Sequence, residues 1–178
     1  SIESFREQNM EPLAILSLLA TIGTSNSIEL KKDIKQIIDE FKIETISTSP
    51  GRIETDLLNA LNKKLVQSLN FNDIKERLTN VDSRIDELFW NSVKGNLSTV
   101  EDVKNWTDIV FNEDKIDVED KEFVKQALSV IPAEPWDENT WELWTSEIKE
   151  LTGRKGKELF LPLREAFTGM KHGPETVS

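Results

Sequence analysis

The chain has 178 residues, 31% of them charged, with one histidine, no cysteine and a formal net charge of -11. Without cysteine there is no disulfide and no thiolate nucleophile or ligand, and His172 alone leaves too little for a zinc centre or a histidine-based triad. No run of eighteen apolar residues occurs, and the start, SIESFREQNMEP, lacks a basic region followed by an apolar one; the reading is of a soluble cytoplasmic protein with neither membrane span nor signal peptide.

Apolar residues recur at spacings of three, four and seven, with no sustained two-residue alternation, which predicts an all-α fold of about eight helices. The first runs from Pro12 to Thr21 and stops before Gly23. KKDIKQIIDEF follows, with Leu30, Ile34, Ile37, Ile38 and Phe41 on one packing face. After the SPGR turn at 49–52, DLLNALNKKLVQSL repeats leucine at 57, 58, 61, 65 and 69 and turns Lys63 and Lys64 toward solvent. Asn72 or Asp73 caps a short helix through Leu78, and Asp82 caps one holding Ile85, Leu88, Phe89 and Val93 inside, broken by VKGN at Gly95. Ser98 and Glu101 form a capping box ahead of TVEDVKNWTDIVF. Asp117 and Asp120 start the next helix, with Val124, Ala127 and Leu128 inward and Pro132 as its stop. Thr140 begins another, placing Trp141, Trp144, Ile148 and Leu151 on one stripe, with Gly153 as terminator. Pro162 suits the first turn of a short final helix, LREAF.

The charge is uneven. Residues 71–148 carry eight basic and nineteen acidic side chains, whereas residues 149–178 carry six basic and four acidic. A local cationic face attracts phosphates despite an acidic whole, because the Debye length is only about 8 Å in physiological salt. Candidate chemistry elsewhere is weak. NEDKIDVEDKEF lacks the sixth-position glycine of a calcium loop, no carboxylate pair is singled out by spacing, and the tryptophans read as core before they read as stacking platforms. GRKGKE lacks the spacing of a phosphate-binding loop, yet its glycines permit close backbone approach to a polyanion. Arg154, Lys155 and Lys157 can neutralise phosphates there, and Arg164 offers a planar fork to a base or phosphate.

Residues 152–174, TGRKGKELFLPLREAFTGMKHGP, resemble the C-terminal signature of bacterial glutamyl-tRNA synthetases: a basic glycine turn, Pro-Leu-Arg, Ala, Thr-Gly and His-Gly-Pro. Residues 1–29 resemble the segment after that family's Lys-Met-Ser-Lys-Ser loop, and ISTSPGRIETDLLNALNKKLVQSL resembles its stem-contact region. The His-Ile-Gly-His and Lys-Met-Ser-Lys-Ser motifs themselves are absent. The resemblance therefore implies the non-catalytic, tRNA-holding half of a class I ligase: catalysis, ATP and Mg2+ lie in an absent domain, and the fragment alone is inactive and needs no cofactor. It implies a stem-contact domain at 1–70 and two anticodon-binding subdomains forming a helical cage, 71–117 and 118–178, the last incomplete at its C-terminus. Arg164 would read an anticodon base, Gly173 and Pro174 would line the same pocket, and Arg154, Lys155, Lys157, Lys63 and Lys64 would hold phosphates. At Lys94 to Asn96, where some members carry a discriminating arginine, lysine, glycine and asparagine stand, which implies tolerance of both glutamate and glutamine tRNAs. The partner is then tRNA, not DNA or a membrane, and the chain a monomer. The competing expectation is an acidic helical protein-interaction module with a basic docking tail.

Overall fold

The computed structural model describes residues 1–47, 54–111 and 116–169, which divide into two compact units, Ser1–Val110 and Phe111–Glu175. Among the described residues every regular element is helical, apart from one isolated bridge between Thr24 and Ile46.

The first unit opens with α1 (Ile2–Glu7) and α2 (Pro12–Thr21), followed by α3 (Ile34–Glu40) and a 3₁₀ turn, Ile43–Thr45. α4 (Thr55–Ser68), α5 (Phe71–Val81), α6 (Glu87–Val93), a second 3₁₀ turn at Lys94–Asn96 and α7 (Val103–Phe111) complete it. α4 is the spine because its leucine repeat faces one way and Val66 another. Leu58, Leu61 and Leu65 close on Ala14 and Leu18 of α2, while Val66 joins Ile74, Leu78, Ile85, Trp90, Val93, Leu97, Val100 and Val103 in a second cluster. Between the clusters Asn62, 1% exposed, accepts from the Glu11 N–H at 2.7 Å and donates to the Ser98 carbonyl at 2.8 Å. Arg77 spans the same joint, 2.8 Å from Glu11 and 2.7 Å from Glu101. Two backbone ends are thereby satisfied by one buried amide.

The second unit comprises α8 (Lys121–Ser129), α9 (Thr140–Thr152) and α10 (Lys157–Thr168) around Phe123, Ala127, Trp144, Ile148, Leu159 and Leu163. Trp144 is seated by its ring N–H, which donates to the Ala127 carbonyl at 2.8 Å.

Several expectations are corrected. α1 was not anticipated; it buries none of its residues and starts where the Ser1 hydroxyl accepts from Ser4. Ile34, Ile38 and Phe41 of the α3 segment are exposed instead of packed, and so are Leu88, Leu128, Trp141 and Leu151. α5 runs to Val81, past Leu78, behind Asn70, and Asp86, not Asp82, caps α6. The proposed capping box is replaced: Asp102 accepts from the Ser98 and Thr99 N–H groups, because Glu101 is drawn to Arg77 and α7 starts only at Val103. The Asp120 cap and the Gly153 terminator stand as expected, the latter with left-handed φ of 70°. The SPGR turn lies outside the described residues.

Candidate nucleic-acid interface

The basic stretch forms the α9–α10 connection of the second unit. Gly153 and Gly156 each take positive φ, 70° and 53°, so the chain leaves α9 and enters α10 across a connection of four residues. Only glycine adopts such angles without steric cost. α10 starts at Lys157, five residues ahead of Pro162, which sits inside the helix. Arg164 is consequently the eighth residue of α10, not a first-turn residue.

The four cations have different environments. Arg154 is one-third exposed and fixed: its Nη1 lies 2.6 Å from Asp120 Oδ2, and its guanidinium carbon sits 4.3 Å from the Phe123 ring centroid. Asp120 in turn caps α8 by accepting the Phe123 N–H. That backbone donor first and Arg154 second hold the Asp120 carboxyl below its ordinary range. Phe123 is fully buried, so stacking against it and the ion pair together orient Arg154 as part of the wall. Lys155, Lys157 and Arg164 are exposed, and none has an ion pair among the described residues.

An open cleft beside the turn is lined by Arg154, Lys157, Glu158, Leu161 and Pro162. Lys155 and Arg164 are outside that lining, but helical spacing puts Lys157, Leu161 and Arg164 on one face of α10, at i, i+4 and i+7. A cationic wall, an apolar floor and a second cation two turns on suit a polyanion carrying flat apolar groups. The sequence reading missed Asp120 and Phe123 as supports of Arg154, and Leu161 as floor. Asp120 was legible only as a cap.

In the first unit, Lys64 of α4 and Asn96 are exposed and Lys63 is half-buried. Lys94 is half-buried as well, with its ammonium 3.4 Å from the Leu69 carbonyl that also accepts the Trp90 ring N–H. Gly173 and Pro174 lie outside the described residues. Among the described residues no group of three or more carboxylate or histidine side chains is placed to hold a metal, and no helix is long and apolar enough to cross a membrane.

Fold and site together define an acidic all-helical polypeptide with a glycine-hinged cationic turn. No family model matches the chain. Its sequence is 39% identical over 181 residues to glutamate–tRNA ligase 1 of Brucella ovis, covering 98% of this chain and 40% of the ligase. Glutamate–tRNA ligase 2 of Brucella melitensis gives the same identity and coverage. The crystal structure of glutamate–tRNA synthetase from Elizabethkingia anophelis superposes with a TM-score of 0.71 at 17% identity, covering 96% of this chain and 37% of that one, and so shares the fold. The chain is thus related to the C-terminal part of the glutamate–tRNA ligases, and it spans about two fifths of the length of the relatives it matches.

Proposed function

We propose that this chain is the tRNA-holding part of a glutamate–tRNA ligase, gripping the anticodon arm through the α9–α10 turn. The observation that carries the reading is local: in a chain of net charge -11, Lys155, Lys157 and Arg164 stand exposed without an ion pair among the described residues, next to an open cleft with an apolar floor. Exposed cations that are not held in ion pairs are poised to release counterions from RNA phosphates, and unpaired loop bases stack on apolar floors.

On this reading residues 1–70 contact the stem, 71–117 and 118–178 enclose the anticodon, and Gly173 and Pro174 border the base pocket. The activation of glutamate with ATP and Mg2+ belongs to the part of the ligase outside this chain, which by itself holds tRNA without charging it. Lys94 cannot offer the planar fork of an arginine, and its ammonium is drawn to the Leu69 carbonyl, which favours acceptance of both glutamate and glutamine tRNAs. Arg164 supplies base readout, since its guanidinium extends from the exposed face of α10.

The test is Arg164→Ala in the full ligase, with binding measured for cognate and noncognate tRNA. A loss of roughly 1 to 3 kcal/mol for the cognate and a much smaller one for the noncognate is expected. Equal losses would reduce Arg164 to a backbone contact. No binding of either tRNA at low salt would favour a protein-docking module.

A further inference from the structure

We propose that α3 and the 3₁₀ turn after it form the seat on which the preceding part of the full-length ligase docks; this rests on the reading just given. Ile34, Ile38 and Phe41 recur at i, i+4 and i+7 and therefore share one face, and they are 58%, 67% and 58% exposed. Ile43 and Ile46 continue the strip at 71% and 53%. Single exposed apolar side chains are ordinary, whereas five within thirteen residues make a patch that marks an interaction surface. Residues 54–110 of the same unit expose only Leu88 and Val110 among their large apolar side chains.

The outward orientation is built in. Asp33 caps α3 by accepting from Gln36 N, and the Gln36 side chain accepts from the Lys32 N–H and donates to Glu40. Lys31, whose side chain is 12% exposed, pairs with Glu40 at 2.7 Å, while its backbone N–H donates to Ser17 of α2. Hydrogen bonds from Ser25 N to Thr45 O and from Ser47 N to Gly23 O fasten the 3₁₀ turn to the end of α2. The polar side of α3 is therefore tied to the body. The apolar side has the periodicity of a buried helix face and no cover among the described residues of the unit.

The occupant follows from length and attachment. The ligases that align with this chain match it in only 40% of their length, at their C-terminal part, so most of such a protein precedes the residue equivalent to Ser1. The start of this chain is anchored to the same unit as the patch: Phe5 and Met10 pack on the core of α2 and α4, and α2 contacts α3. A tethered neighbour meets the patch at high effective concentration, so a modest apolar seat suffices to hold it. A phosphate backbone has no affinity for five such side chains.

The experiment compares Ile38→Lys with wild type, both in the full-length ligase and in this chain alone, by hydrogen exchange over 34–46 and by thermal unfolding. In the full-length ligase the segment should exchange about tenfold more slowly than in the chain alone. Ile38→Lys should abolish that protection and lower the full-length Tm by about 3 °C or more, while shifting the chain alone by no more than about 1 °C because the side chain is already in water. Equal exchange in the two contexts, or equal Tm shifts, would overturn the seat. A dimer of the chain alone that Ile38→Lys dissociates would replace the proposed occupant with a second copy. A native protein no longer than this chain would overturn the ligase reading itself, and the seat with it.

Discussion

Gly156 sets the direction in which α10 leaves the cationic turn, and replacing it isolates a backbone effect. Its φ of 53° and ψ of -128° lie where side chains are rarely found, yet a Cβ built there meets nothing within 4 Å. The cost of Gly156→Ala is therefore conformational: roughly 1 to 3 kcal/mol of backbone strain, offset by about 0.4 to 1 kcal/mol of entropy removed from the unfolded chain. The net expectation is a loss of about 1 to 2 kcal/mol. Gly95 is the internal control, because a Cβ there also meets nothing and its φ lies outside the positive region. Gly95→Ala should be neutral or stabilising by up to about 1 kcal/mol. Urea unfolding followed by tryptophan fluorescence should move the two midpoints apart, Gly156→Ala downward and Gly95→Ala upward or not at all. Equal shifts in the same direction would refute the strain argument and with it the claim that the turn is held by glycine geometry.

Asn62→Ala should cost about 2 to 4 kcal/mol, since it strands the Glu11 N–H and the Ser98 carbonyl at once, while Lys64→Ala on the exposed side of the same helix should stay within about 0.5 kcal/mol; urea midpoints read both. Acid should weaken the fold in a defined window: the Arg84 side chain and backbone N–H hold the Asp82 carboxyl at about 2, and Asp120 and Asp137 are likewise held low by hydrogen bonds. Depressed carboxyls contribute stability that is present above the unfolded pKa of about 4 and lost as pH falls through the folded values. Urea midpoints measured from pH 7 to 2 should thus owe no loss to these groups until about pH 4 and then fall, and Arg84→Ala should reduce the fall. A fall unaffected by Arg84→Ala would remove Asp82 from the account.

Much of the helical frame was readable because it depends on short-range spacing. The α4 leucines, the Pro12 start, the Asp120 cap and the Gly153 stop each need information from within two turns. Faces were harder. The α3 stripe was correctly read as apolar at helical spacing, but sequence periodicity shows that a face is fit for burial, not whether its partner lies in the same chain. The start of α10 was misplaced because proline usually opens a helix; here a start at Lys157 adds Leu159 to the core beside Leu163. Arg154 looked like a free phosphate contact until the fold placed Asp120 and Phe123 beside it, a pairing across thirty-four positions with no local signature. Trp144 and Trp141 sit on neighbouring turns of α9, yet one is buried and the other half exposed, a division that depends on where α8 and α10 lie.

The central claim is that the exposed cations of the α9–α10 turn bind RNA phosphates. Affinity of the chain for an anticodon stem-loop, measured by fluorescence anisotropy across salt concentrations, tests it most directly. A linear fall in log K with log salt is expected, with a slope of about -0.7 per phosphate contact that becomes shallower by about that amount for each of Lys155→Ala and Lys157→Ala. Binding whose slope is the same in wild type and both variants, or no binding at low salt, would contradict it.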